Sequence, residues 1–406
     1  MIGNKQIFKP VNIYFALWCL YRLQGPLYPS GSIVAKIILM LLLVWSMIMM
    51  FKVIMPSRRL PSYLLALSVF LLSTTLYGLM LILSGQELYI TEDIYIKTSN
   101  FDYLKNIYSS LLPIFVFFEY SRRGEMTMRN VVIFTVVLLV INILCFFHDR
   151  SQAMIFAIQS GRKVDGFTLN IGYKFLALFP LILLCNRRPL NQYLMTIITL
   201  LFVILCMKRG AILIALICFP FLILSTLKTA KGRQRWFITI LSVISLFVAT
   251  YIIINLLSTN DYFVHRIEQT LEGDSSNRDK IYYTFLNHFF SETNAFRFFL
   301  GNGANATLKI GMNYAHNDWL EIAINNGLLG IIIYLWYYIA LLLDYFKTKK
   351  YNKHYGDVIM MAFIIMLASS LFSMSYSSMD RELSIVLGFV LAQLYTKRNE
   401  NNLFYR

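Results

Sequence analysis

Long apolar runs dominate this chain, and most of them have about the roughly 20 residues that a helix needs to cross a bilayer. Hydrophobic residues make up 58% of the 406 and charged residues only 14%, against roughly 25% charged in soluble domains. About twelve runs can be read, at 11–22, 33–51, 62–84, 103–119, 130–147, 170–186, 190–206, 210–227, 236–257, 328–345, 357–373 and 383–396.

Lipid offers no hydrogen-bond partners to backbone amides, so each apolar run is expected to be a helix with its bonds satisfied internally. The predicted fold is therefore an all-α polytopic membrane protein with about 12 transmembrane helices. The first and last runs are shorter than a bilayer core requires, which leaves the exact number open.

Most Lys and Arg residues outside the apolar runs lie in alternate loops, beginning with the N-terminal segment and ending with the C-terminal tail. The positive-inside rule then predicts that both termini are cytoplasmic. The net charge of +16 is explained by these loops and by anionic lipid headgroups, so nucleic-acid binding is not expected.

The predicted organisation has three parts. Residues 1–257 contain spans one to nine, residues 258–327 form a large extracytoplasmic segment, and residues 328–406 contain spans ten to twelve and a cytoplasmic tail. The large segment is rich in Tyr and Phe among alternating charges, so we expect an ordered helical cap, because long connections in compact proteins are usually functional or disordered.

The sharpest local pattern is the stretch HNDWLE from His316, followed by Asn326-Gly327. Asp318 and Glu321 resemble a capping box, and Asn326-Gly327 resembles a helix stop, so a short helix beginning just after His316 is predicted. An imidazole there could accept a proton from a hydroxyl near neutral pH. The alternative is that His316 is a polar residue of the membrane interface.

Cations on the predicted outer side could bind a phosphate. Arg278 could clamp an anion or pair with a neighbouring aspartate, and Lys208-Arg209 could bind a lipid diphosphate or extend to the surface. Arg162 adds a further outer charge. The two glycines Gly301 and Gly303 are, on their own, too weak a pattern to predict a phosphate-binding loop. No cofactor or metal is assigned, since the acidic residues and the five cysteines lack ligand spacing.

These features together resemble the superfamily of O-antigen ligases and O-antigen polymerases, which are bacterial envelope polysaccharide glycosyltransferases. The resemblance rests on HNDWLE with the following GLLG at 327–330, on Lys208-Arg209-Gly210 opening a span, and on Arg278 ahead of the glycine turn. The family often has Thr or Ser where this chain has Lys208.

The resemblance implies a GT-C-like fold and an inverting, metal-independent glycosyltransferase of the bacterial inner membrane, with its active site facing the periplasm. The donor would be a glycan linked to undecaprenyl diphosphate, the product an O-antigen or a capsule, and the partners membrane lipids and a chain-length regulator protein. The implied catalytic residues are His316, Arg278 and Arg209, and the implied substrate-binding residues are Lys208, Asn317, Glu321 and, as a looser match, Arg162.

Two reactions fit the same site. A polymerase would join one lipid-linked repeat to another, whereas a ligase would pass the finished glycan to a lipid A core or another acceptor. We expect a polymerase. A flippase or transporter of lipid-linked glycans is the alternative of another class, but charged residues are nearly absent from the centres of the predicted spans.

Overall fold

The computed structural model describes residues 9–55, 60–84, 100–159, 168–185, 189–259, 278–311, 314–373 and 381–403. Arg162, one of the predicted binding residues, lies outside these ranges. Over the described residues the chain is almost entirely helical, and an isolated bridge between Gln24 and Tyr28 is its only recorded strand-like pairing.

The described helices, in chain order, begin with α1 (Pro10–Arg22), α2 (Ile33–Ile54), α3 (Ser62–Leu83), α4 (Asn100–Leu111), α5 (Pro113–Arg122) and α6 (Met128–Gln159). They continue with α7 (Gly172–Leu176), α8 (Leu178–Leu184), α9 (Pro189–Leu205), α10 (Arg209–Thr229) and α11 (Gly232–Thr259). The last are α12 (Arg278–Phe290), α13 (Ala295–Leu300), α14 (Ala306–Gly311), α15 (Asp318–Tyr351), α16 (Lys353–Phe372) and α17 (Arg381–Leu403).

Six of the described helices are long and apolar enough to cross a membrane: α2, α3, α6, α10, α15 and α16. Three shorter apolar segments lie at Gly172–Leu184, Pro189–Leu205 and Glu382–Thr396. The all-helical membrane architecture is therefore confirmed, while the total of about twelve spans stays a prediction.

Two predicted spans are broken in the middle, which corrects the expectation of one helix per run. The run at 103–119 divides into α4 and α5 at Pro113, and the run at 170–186 divides into α7 and α8 at Ala177. Proline has no N–H to donate, so Pro113 starts a helix, and Pro180 leaves the carbonyl of Leu176 without its helical donor.

Two short helices, α5 and α8, lie in the interior of the bundle. All seven residues of α8 are buried, as are the nine residues from Pro113 to Ser121 of α5. By contrast, α2 and α10 expose large side chains such as Met40 at 67% and Leu216 at 60%. A helix that is apolar on every side belongs inside, and the exposed apolar faces suit contact with lipid.

Helix α15 is interrupted near its start. Gly327 has φ 66° and ψ −162°, so the first nine residues form a separate short helix before the long membrane-crossing part. This break confirms the helix stop predicted at Asn326-Gly327. Helices α12 and α14 pack on this short helix through a small cluster in which Phe285, Ala306, Ala315 and Ile324 are buried.

Candidate active site

His316 lies two residues before α15, in a strained turn. Its φ of 52° falls in the left-handed region, which non-glycine residues seldom adopt. The residue before it, Ala315, is fully buried, and its N–H donates a 2.6 Å hydrogen bond to Oε1 of Glu321. This bond fixes the backbone immediately before His316, while the imidazole itself is only half-buried.

Glu321 lies inside the cap, the part of the structure formed by α12, α13, α14 and the short helix at the start of α15. It is 1% exposed, and its Oε2 accepts hydrogen bonds from Thr307 Oγ1 at 2.7 Å and from Asn325 Nδ2 at 3.4 Å. Asn325 in turn accepts a 2.8 Å bond from the N–H of Ala306 through Oδ1. These contacts tie α14 and the His316 turn to the short helix at the start of α15.

The N-cap of α15 is Asn317, which corrects the predicted capping box at Asp318. Asn317 Oδ1 accepts bonds from the N–H groups of Trp319 and Leu320 at 2.9 and 3.2 Å. Asp318 is fully buried and accepts a 2.7 Å bond from the Tyr334 hydroxyl. The amide of Asn317 reaches the backbone N–H groups, so the carboxylate one residue later can face inward instead.

The C-terminal end of α16 receives side chains from two distant helices. Nη1 of Arg278, the first residue of α12, donates a 3.2 Å bond to the carbonyl of Phe372. Nδ2 of Asn317 donates a 3.2 Å bond to the neighbouring carbonyl of Leu371. The last carbonyls of a helix lack intrahelical donors and carry partial negative charge, so a guanidinium is well matched to this position.

The N-terminal end of α10 also packs against the C-terminal end of α16. Lys208 is its N-cap and Arg209 its first residue. Gly210 lies so close to the Tyr173 hydroxyl that a Cβ there would overlap it, and the same Cβ would lie 3.4 Å from Cβ of Phe372. The N-termini of α10, α12 and α15 therefore converge on the C-terminus of α16.

The electrostatics of the site keep His316 neutral. Burial lowers the pKa of His316 below its ordinary 6.5, and the positive charges of Arg278 and Lys208 lower it further. Both effects have the expected sign, because a partly desolvated imidazolium near two cations is destabilised relative to the neutral ring. At neutral pH the imidazole can accept a proton.

The turn at residues 301–303 is joined by backbone hydrogen bonds to the end of the short helix that begins α15. Gly301 and Gly303 have φ of 78° and 96°, and the N–H groups of Asn302 and Gly303 donate to the carbonyls of Ile324 and Asn325 at 2.9 and 3.0 Å. These are the carbonyls that the break at Gly327 leaves without helical partners. Its donors are thus used within the protein.

The predicted residues divide into groups. One group lies around the C-terminal end of α16 and consists of His316, Arg278, Lys208, Asn317 and Arg209, the last placed there as the neighbour of Lys208. Glu321 is not in this group, because its contacts are with Thr307 and Ala315 inside the cap. Their catalytic and binding roles stay predictions.

Sequence reasoning missed Tyr173, Thr307 and the carbonyls of Leu371 and Phe372. Tyr173 stands in an apolar run and Thr307 in a stretch without a pattern, so neither carried a local signal. Backbone carbonyls carry no side-chain signal at all.

The comparison with known protein families gives one match. Residues 194–335 match the family model described as O-antigen ligase. The matched range covers α10 and the described part of the cap, and it includes Arg209, Arg278 and His316. A search of curated proteins finds no match. The matched range is about a third of the chain, and it supports the resemblance to the O-antigen ligase and polymerase superfamily.

Proposed function

We propose that this protein is a membrane glycosyltransferase that joins undecaprenyl-diphosphate-linked oligosaccharide repeats into a surface polysaccharide, at the outer face of the inner membrane. The observation that carries the proposal is the meeting of His316 with Arg278 and Lys208 at the end of α16. The reaction needs a base for a hydroxyl and cations for a departing diphosphate, and this cluster has both.

His316 is the proposed general base. A base must be unprotonated at the working pH, and burial with two nearby cations lowers the pKa of this imidazole. The exposed half of the ring leaves room for a sugar hydroxyl to approach.

Arg278, Lys208 and Arg209 are the proposed diphosphate ligands. Toward the described residues, Arg278 donates to the carbonyl of Phe372, and a guanidinium has five donors in all. Charge-assisted bonds to phosphate oxygens strengthen as negative charge develops on the leaving group, which is the condition for accelerating the reaction. Side-chain cations supply the counter-charge, so the proposed reaction is metal-independent.

In the proposed step, the acceptor hydroxyl oxygen forms a bond to the anomeric carbon of the donor glycan. The bond from that carbon to the diphosphate oxygen breaks, and its electron pair leaves with the diphosphate. The hydroxyl proton passes to His316. A direct displacement of this kind inverts the configuration at the anomeric carbon.

Asn317 and Glu321 support this site in different ways. The recorded bonds of Asn317 fix the start of α15 and dock it on α16, and those of Glu321 fix the backbone before His316. We therefore assign positioning to Glu321, in place of the direct substrate contact expected from the sequence.

The orientation with both termini in the cytoplasm, and a chain-length regulator as partner, belong to the same proposal. The positively charged loops support this orientation. In this orientation His316 and Arg278 lie on the outer side of the membrane, where lipid-linked glycans are exposed.

The test uses purified protein incubated with carrier-linked repeats. His316→Ala and Arg278→Ala should each lower glycan extension by ~10²-fold or more while the protein still inserts at the normal level, because removal of one preorganised donor commonly costs that much. Arg150→Ala, an exposed arginine of α6, is the control and should keep full activity. Full activity in either site variant would contradict the assignment.

A ligase is the second candidate, because the matching family model is described as O-antigen ligase. The products separate the two reactions. When the gene is deleted, loss of long chains with single repeats retained indicates a polymerase, whereas finished polymer accumulating on the carrier lipid indicates a ligase.

A further inference from the structure

A large groove opens between the outer half of α3, the cap and α15. Its volume is about 890 Å³, near the upper end of the roughly 300–1,000 Å³ typical of ligand sites. The Tyr77 hydroxyl of α3 donates to the carbonyl of Leu300 and so joins α3 to the cap beside the groove. The groove is distinct from the cation cluster at the end of α16.

The wall of the groove within the membrane-crossing helices is mainly apolar, with Ser73 and Tyr77 of α3 and Ser84 just after it as its polar members. Its apolar part is formed by Leu72, Leu76 and Met80 of α3, which are 60%, 54% and 66% exposed, and by Leu329 and Ile333 of α15. Both helices have the length and hydropathy of membrane spans. A hydrocarbon chain could therefore enter the groove from the lipid without crossing a polar barrier.

The end of the groove formed by the cap is cationic. Arg297 of α13 and Lys309 of α14 line it, together with His288 near the end of α12. Both cations are exposed, so their charged groups can reach a ligand. Positive charge at one end and an apolar wall at the other fit a lipid with a phosphate-bearing headgroup.

Helix α12 connects the proposed active site with the cap end of the groove. Arg278 and His288 begin and nearly end the same helix, and ten residues of α-helix rise about 15 Å. In a polymerase the acceptor's reducing end is blocked by its own diphosphate, so its reacting hydroxyl must be on another part of the glycan. The acceptor's diphosphate must then lie about an oligosaccharide's length from His316.

We infer that the α3 groove binds the second lipid-linked substrate of the reaction, a prenyl diphosphate whose glycan extends along α12 towards His316. This inference rests on the proposed function and adds to it: the donor's diphosphate occupies the cluster at Arg278, and the acceptor's occupies the groove at Arg297 and Lys309.

The test counts bound lipid by native mass spectrometry of the full-length protein in phosphatidylcholine nanodiscs, with undecaprenyl diphosphate as the probe. The wild type should bind two molecules. The double variant Arg297→Gln/Lys309→Gln should bind the second about tenfold more weakly, because charge-assisted bonds of this kind are worth a factor of ten or more. Leu76→Trp, which narrows the apolar part of the groove without changing its charge, should also weaken binding of the second molecule.

Arg150→Gln is the control and should bind two molecules. Unchanged binding in both groove variants overturns the inference. So does displacement of the second molecule by an equal concentration of phosphatidylglycerol, because the groove would then be a general site for anionic phospholipid.

Catalysis separates this inference from the proposed function. If two lipids bind and the groove variants lose one, but no glycosidic bond ever forms from carrier-linked repeats, the proposed function fails and the groove remains a prenyl diphosphate site. If extension proceeds and the groove variants leave the KM of the acceptor repeat unchanged, the inference fails and the proposed function stands.

Discussion

Replacing Glu321 with Ala is expected to lower activity by displacing His316, although the recorded contacts of Glu321 are with other residues. The substitution removes the acceptor of three hydrogen bonds and leaves the buried Ala315 N–H and Thr307 hydroxyl without that partner. An unsatisfied buried donor costs about 1–3 kcal/mol, so two of them should destabilise the cap by about 2–6 kcal/mol. The turn before His316 would then lose its native geometry.

Glu321→Gln is the matched comparison. Glutamine has nearly the same shape, its carbonyl oxygen can still accept the Ala315 bond, and the Thr307 hydroxyl can rotate to accept from the new amide. We expect Glu321→Gln to keep activity within about tenfold of the wild type, whereas Glu321→Ala should lose ~10²-fold, the typical cost of misplacing a catalytic group by about 1 Å.

The assay is glycan extension from carrier-linked repeats, with thermal unfolding of the purified protein measured alongside. Full activity in Glu321→Ala would refute the positioning role. Equal and severe loss in both variants, with unchanged thermal stability, would also refute it, because the carboxylate would then be needed for its charge and not as a hydrogen-bond acceptor.

Two further outcomes follow from the geometry of the site. Activity should fall at acid pH as His316 becomes protonated, and this fall should lie below pH 6.5 because the pKa of His316 is lowered from its ordinary value. Lys208→Gln removes one of the cations that lower this pKa, so it should move the acid limb of the pH profile to higher pH. An acid limb that stays in place in Lys208→Gln would contradict the role of that charge. Gly327→Ala should lower the melting temperature more than Gly124→Ala. Both glycines have positive φ, but a Cβ at Gly327 would lie 2.5 Å from Gly301 N, whereas a Cβ at Gly124 would have nothing within 4 Å. Equal shifts in the two melting temperatures would contradict this.

The sequence was sufficient to predict the class of fold because apolar run length and backbone satisfaction in lipid act locally. Interruptions inside the runs were harder to predict. Pro220 stays within the continuous helix α10, whereas Pro113 and Pro180 accompany helix breaks. A proline's effect depends on the partners that the surrounding helices offer to the freed carbonyl, and that is a tertiary property.

The same distinction holds at the candidate site. The short helix after His316 and its stop at Gly327 followed from cap and glycine preferences over a few residues. The exact cap did not, since Asp318 and Asn317 are both good cap residues and the inward hydrogen bond to Tyr334 decides between them. The contact of Arg278 with Phe372 joins residues 94 positions apart and left no trace in the local pattern.

Two of the hydrogen bonds that dock the cap on α16 end on main-chain carbonyls. Arg278 and Asn317 bind the carbonyls of residues 371 and 372, while the side chains there, Leu371 and Phe372, are 44% and 38% exposed. Any amino acid presents the same carbonyl, so substitutions of Leu371 and Phe372 are expected to keep these two acceptors in place.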